Sequence, residues 1–157
     1  MTRREIALDA RTILRTLAQH DVDYVVVGGL AVQAHGHTRT TQDLDLVPRP
    51  DRKNLKRLAE ALAALRARPI GAKRPSPNQL IIPADGVLEL DTDFGGVDVH
   101  VSPPGGAPYG DLRSRSLKLN LGDLPLFVAG RDDLIAMKRE SGRPIDRSDI
   151  LALSDET

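Results

Sequence analysis

The chain has no cysteine and no tryptophan in its 157 residues. Without thiols it forms no disulfide, and any zinc site would have to use His, Asp and Glu. Aromatic residues make up only 3% of the sequence, so the core must be built from Leu, Val, Ile and Ala. No apolar run approaches the ~20 residues that span a bilayer. The opening Met1-Thr2-Arg3-Arg4-Glu5-Ile6 also lacks the apolar centre of a secretion signal. A cytoplasmic protein with no membrane partner is expected. Neither sign of charge is in excess, since Lys plus Arg and Asp plus Glu number 22 each. That balance removes any global reason for strong non-specific binding to nucleic acid or membrane. A local basic cluster of Arg66, Arg68, Lys73 and Arg74 borders a Pro-rich stretch and reads as a solvated loop.

What is present is a chain with 40% apolar and 28% charged residues, a globular and not a disordered profile. Its length fits one domain with a real hydrophobic core. Ile6, Ala10, Ile13, Leu14 and Leu17 fall at helical spacing and predict a first helix over about residues 3–19. The run Tyr24-Val25-Val26-Val27 is short and β-branched, as in a strand buried on both faces. Gly28-Gly29 ends it, and a short helix is expected from Leu30 to His35. Asp43-Leu44-Asp45-Leu46-Val47 alternates strictly and predicts a strand, with a helix following through Leu55, Leu58, Ala59, Leu62 and Leu65. Three short strands are expected at residues 79–82, 87–93 and 97–101, with Asp85-Gly86 and Gly95-Gly96 as turns. A short helix is expected over residues 109–116. Strands at 117–121 and 124–128 flank the Gly122-Asp123 turn. Helices over residues 132–141, capped by Gly142, and 144–153 complete an α/β (α+β) domain with a mixed, largely antiparallel sheet.

The chemistry concentrates between Val25 and Val47. On a strand, Asp43 and Asp45 project from one face while Leu44 and Leu46 enter the core. Two carboxylates about 7 Å apart along the strand can turn their oxygens onto a shared cation. Hard oxygen ligands favour Mg²⁺ or Mn²⁺. The glycines at Gly28-Gly29 let backbone approach a phosphate closely, and the N–H groups of the helix that follows attract an anion. The pair matches neither a dinucleotide fingerprint nor a P-loop. Val97-Asp98-Val99-His100-Val101 alternates in the same way. A third carboxylate converges on the first two if this strand lies beside residues 43–47, as two-metal phosphoryl or nucleotidyl transfer needs. Asp91 and Asp93 compete with Asp98 for that role, but Asp93 sits at a hairpin tip. His35 and His37 read as loop polarity and His100 as a surface histidine. Asp146 and Asp149 fit local ion pairs with Arg143 and Arg147 as well as a place in the site.

Gly28-Gly29, thirteen residues, then Asp43-Leu44-Asp45 resembles the hallmark of the DNA polymerase β-like nucleotidyltransferase superfamily. Arg39-Thr40-Thr41-Gln42-Asp43-Leu44-Asp45 is similar to the R-x-T-x-D-x-D form of the abortive-infection (AbiEii-like) toxin nucleotidyltransferases. Two later segments resemble further motifs of that group: Asp133 through Lys138, and Arg143 through Asp146 to Asp149.

The resemblance implies a nucleotidyltransferase fold and transfer of an NMP from an NTP to a hydroxyl. The acceptor would be RNA or a tRNA 3′ end, a protein side chain or a small molecule. The setting could be a toxin–antitoxin pair, which implies an antitoxin partner. By the same resemblance Asp43, Asp45 and Asp98 would bind the metals and carry catalysis. Gly28 and Gly29 would hold the triphosphate, Lys138 would reach its oxygens, and Arg39 would pin the loop or a phosphate. A second class of function stays open, a catalytically inactive module of the same fold that binds nucleotide or a partner protein.

Overall fold

Tyr24–Val27, with three β-branched valines, forms the strand its composition predicts, and it runs beside the central strand of a seven-stranded sheet. A computed structural model describes residues 6–38, 40–75, 80–103 and 105–154 of the chain. The elements in order are α1 (Ala10–Gln19), β1 (Tyr24–Val27), α2 (Gly28–Ala34), β2 (Asp43–Pro48), α3 (Arg52–Ala64), β3 (Arg68–Pro69) and β4 (Val87–Thr92), followed by β5 (Gly95–His100), α4 (Tyr109–Ser114), β6 (Leu117–Leu121), β7 (Leu124–Val128), α5 (Arg131–Ser141) and α6 (Pro144–Ser154). The strand order is β3-β4-β5-β2-β1-β7-β6. Only β1–β7 and β2–β5 pair in parallel; the other four pairings are antiparallel. This is the mixed, largely antiparallel sheet flanked by helices that the sequence predicts. Among the described residues no helix is long and apolar enough to cross a membrane.

Alternation in the central strands decides which side chains face the core. Leu44 and Leu46 of β2, Val97 and Val99 of β5 and Leu90 of β4 are fully buried. They join Leu58 and Leu62 of α3 and Ile13 and Leu17 of α1 in one apolar cluster. Aliphatic side chains fill it, as the scarcity of aromatics requires. The Asp51 side chain opens α3 by accepting from the Asn54 N–H at 3.1 Å. Asn54 itself is fully buried. Its amide donates to the carbonyls of Asp23 and Arg49 at 2.8 Å each and accepts from the Asp23 N–H at 2.8 Å. One side chain thus ties the entry to β1, the exit from β2 and the start of α3.

Several expectations need correction. The first helix starts at Ala10, because the Asp9 side chain caps it through the Thr12 N–H. Residues 6–9 instead lie over the β4–β5 turn, where the Asp9 N–H donates to the Phe94 carbonyl at 2.8 Å. Of the strand expected at residues 79–82, residue 79 lies outside the described residues and residues 80–82 are irregular. The β4–β5 turn is Asp93-Phe94, since Thr92 pairs with Gly95 and both expected turn glycines belong to β5. The basic cluster is not simply solvated. Arg68 is buried on the short strand β3, and it and Arg66 both bind Asp93, at 2.7 and 2.9 Å.

Replacing Asn54 with Ala removes the side-chain partner of the Asp23 N–H and the Arg49 carbonyl, each worth about 1–3 kcal/mol when buried and unsatisfied, while the Asp23 carbonyl keeps the Arg49 N–H at 3.0 Å. Equilibrium denaturant unfolding of Asn54→Ala is expected to show a loss of at least ~2 kcal/mol with little change in m-value.

Candidate active site

The site is assembled by strand register. The antiparallel ladder sets Val27 of β1 opposite Asp45, and the parallel ladder sets Asp45 of β2 opposite Asp98 of β5. Paired residues point to the same face of a sheet, so Asp45 and Asp98 stand side by side. Asp43 is two residues back on the same face of β2. One carboxylate oxygen from each of Asp43, Asp45 and Asp98 lies within 4.8 Å of the others. At that separation two unit charges repel by about 3.5 kcal/mol at an effective dielectric of ~20. Three ionised carboxylates so placed need a compensating positive charge. β4 adds Glu89, opposite Asp98 in the next ladder, whereas Asp93 is turned away to Arg66 and Arg68.

Two neighbours hold Asp45. Gly28 follows Val27 directly and has a φ of +68°, a conformation glycine adopts without steric cost. A Cβ added there would fall on the Asp45 carboxylate. The glycine therefore gives Asp45 its space as well as forming the turn. On the other side the His100 ring contacts Asp45 Oδ1 through Nε2 at 2.8 Å. With the proton on Nε2 the imidazole donates to that oxygen, and the second oxygen stays available to a ligand. His100 is thus no ordinary surface histidine: its side chain is 21% exposed and engaged with Asp45. The alternation that placed it on the face of Asp98 was the available signal.

A cavity of about 660 Å³ opens over this face. Gly28, Gly29, the three aspartates, Glu89 and His100 line one side, and α5 with the start of α6 forms the other. The loop before β2 adds Thr40, Thr41 and Gln42. Thr41 Oγ1 donates to the Asp43 carbonyl at 3.0 Å. Arg39 lies outside the described residues, as the loop or phosphate contact expected of it therefore does. His35 is drawn away, its Nε2 at 2.9 Å from the Ala129 carbonyl. His37 approaches Asp149 at 3.6 Å.

Lys138 reaches the cavity wall from α5, and its ammonium is 2.9 Å from Asp149 and 3.2 Å from Asp146. Both aspartates are fully buried. They are more than the surface ion pairs their i, i+3 spacing allowed. Arg143 joins the network, with Nε on Asp146 Oδ2 at 2.9 Å and a terminal nitrogen on Oδ1 at 3.1 Å. Burial works to raise the Asp146 pKa. Hydrogen bonds from Arg143 and Ser141 and the charge of Lys138 outweigh it and hold the carboxyl well below its usual range. A depressed folded pKa stabilises the fold above about pH 4, and the contribution is lost as pH falls through the folded value. For Arg143, the bond to Asp146 raises the pKa above its ordinary value against burial, and the charges of Asp45 and Asp43 add to it. The place of Glu89 was not legible in the sequence, because the pairing that brings it to Asp98 joins two strands, whereas the Arg143–Asp146 ion pair is the i, i+3 contact that the sequence allowed.

No protein of curated function matches the sequence. Solved structures do match in fold. The lincosamide antibiotic adenylyltransferase LnuA, bound to lincomycin, superposes with a TM-score of 0.64 at 17% identity, covering 96% of this chain and 99% of that one. ANT(2'')-Ia in complex with adenylyl-2''-tobramycin gives 0.59 at 12% identity over 91% of this chain and 84% of that one. An antigenic nucleotidyltransferase-like protein from Paracoccidioides brasiliensis gives 0.53 at 18% identity over 90% and 72%. At such identities these likenesses show the fold. The sequence itself goes further: residues 5–154 match a family model, and the chain belongs to the family described as nucleotidyltransferase of unknown function (DUF6036).

Proposed function

We propose that the protein transfers a nucleoside monophosphate from an NTP to a hydroxyl of a small-molecule acceptor, with Asp43, Asp45 and Asp98 holding two divalent cations, Mg²⁺ or Mn²⁺. The observation that carries this reading is the convergence of three carboxylate oxygens within 4.8 Å beside the Gly28-Gly29 turn. The donor set fits such cations, since it offers hard oxygens without nitrogen or sulfur. When bound, the cations supply charge neutralisation to an in-line displacement at the α-phosphate.

The chain's own residues do the rest. His100 and Gly28 orient Asp45. The backbone at Gly28 and Gly29 borders the space for the triphosphate, with Lys138 on the facing wall. Asp98 stands one strand away from Asp45 and accepts the proton of the attacking hydroxyl. The new bond joins the acceptor oxygen to the α-phosphorus, the bond from that phosphorus to the bridging oxygen of the β-phosphate breaks, and pyrophosphate leaves. An NTP donor fits a cytoplasmic setting.

Cavity size favours a small acceptor, since 660 Å³ lies within the ~300–1,000 Å³ of small-molecule sites. LnuA and ANT(2'')-Ia, of the same fold, are complexed with lincomycin and with an adenylylated tobramycin. The AbiEii-like reading, an RNA-directed toxin neutralised by an antitoxin, rests on the motif running from Arg39 to Asp45. Against it, the exposed carboxylates Glu89 and Glu140 line the cavity and would repel an RNA backbone. An inactive module would not require three converging ligands.

The test is incubation with each labelled NTP and Mg²⁺ or Mn²⁺, offering hydroxylated antibiotics, total RNA and lysate protein in separate reactions. Metal-dependent label on a small molecule supports the proposal. Label on RNA supports the toxin, and nucleotide binding without transfer supports the inactive module.

Asp43→Asn, Asp45→Asn and Asp98→Asn are each expected to lower transfer at least ~100-fold, about 2.7 kcal/mol of barrier. Thermal melts provide an activity-free check. Mg²⁺ is expected to raise the wild-type melting temperature and EDTA to reverse the rise. The Asn variants should not respond, and should melt no earlier than wild type in EDTA because a repelling charge is gone. Gly28→Ala combines an unfavourable φ with the collision on Asp45. It should cost at least ~1 kcal/mol of stability and abolish the Mg²⁺ response.

A further inference from the structure

Within the proposed site the cations are not equally free to meet a polyphosphate. Lys138 and Arg143 are the permanently charged cationic side chains in the described cavity lining. The Lys138 side chain is 6% exposed, with its ammonium placed on two buried carboxylates. One positive charge faces two negative ones there, so no attraction is left over for an incoming anion. His100 is engaged with Asp45. Arg143 differs, because its side chain is 65% exposed while its guanidinium is anchored on one edge.

The bonds from Arg143 to Asp146 use two side-chain N–H groups of the five a guanidinium carries. Its backbone N–H also donates to Asp146 Oδ2, at 3.2 Å. Asp146 thus fixes both the main chain and the side-chain plane of this residue. Lys138 in turn holds Asp146 from the buried side. The result is a planar cation of fixed orientation at the cavity rim, within electrostatic reach of Asp43 and Asp45. A guanidinium fork of this kind binds phosphate oxygens bidentately, as an ammonium does not.

We propose that Arg143 is the residue that grips the β- and γ-phosphates of the donor and then the departing pyrophosphate, with Asp146 and Lys138 as its positioning residues. The proposal rests on the nucleotidyl-transfer reading above and adds the phosphate-binding group to it. The resemblance gave Lys138 the contact with the triphosphate oxygens, and the proposal moves that contact to Arg143. Lys138 here is the buried counterion that keeps α6 on α5 and aims the arginine.

The test uses the full chain with Mg²⁺ and inorganic triphosphate as the probe, read by titration calorimetry, so no acceptor or turnover is needed. Arg143→Gln is expected to weaken triphosphate binding by roughly tenfold or more, as loss of charge-assisted hydrogen bonds requires. Its affinity for Mg²⁺ alone should stay close to wild type, and its melting temperature falls because the buried Asp146 loses two side-chain hydrogen bonds, so binding is read at a temperature where both proteins are fully folded. Arg143→Lys should recover part of the loss, because charge returns without the fork. Lys138→Met is expected to lower the melting temperature as well as the affinity, since it breaks the packing of α6. A wild-type chain that binds triphosphate, with Arg143→Gln binding equally well, overturns the assignment and leaves the transfer reading intact. A wild-type chain that binds Mg²⁺ but no triphosphate overturns both.

Discussion

The register of β2 between β1 and β5 is the constraint from which the site follows. A slip of one residue would send Asp43 and Asp45 into the core and Leu44 and Leu46 into the cavity. The fully buried leucines make such a slip prohibitively costly, because ionised carboxylates in an apolar core go unsolvated. The same register brings Asp98 beside Asp45 and Gly28 close against it. Hydrophobic burial on one face therefore aligns the acids on the other.

Aligning acids has its own cost, and the structure distributes it. Asp45 receives a hydrogen bond from His100, and Asp146 and Asp149 are balanced by Lys138, with Arg143 on Asp146. Those networks lie on opposite walls of one cavity, one on the sheet and one on α5 and α6. The sheet wall is acidic, and the helical wall carries an exposed cation, Arg143. Between them the cavity has the charge arrangement that a metal–polyphosphate donor would complement.

Much of the fold was legible because its signals are local. The β-branched run of β1, the alternation in β2 and β5, the hairpin at Gly122-Asp123 and the left-handed Gly142 cap each depend on a few neighbouring residues. Errors arose where a capping, pairing or ionic partner overrode the apolar pattern. Asp9 and the Phe94 carbonyl set the start of α1, and the pairing of Thr92 with Gly95 set the turn at Asp93-Phe94. Arg68 looked like loop polarity because Asp93, its partner, lies 25 residues away. Asn54 gave no sign that its amide joins three segments.

The sequence alone determined the chemistry of the central motif: a glycine turn, a short helix and a D-x-D strand. Strand periodicity dictates that the two aspartates share a face, and thirteen residues suffice for the chain to return antiparallel to β1. Only the tertiary structure decided what stands beside that motif. Asp98 reaches Asp45 through the parallel β2–β5 ladder. His100 bonds Asp45 from 55 residues away, and α6 determines which cation is buried and which is exposed. These are long-range pairings, set by how the sheet closes and the helices pack, and no local pattern of residues encodes them.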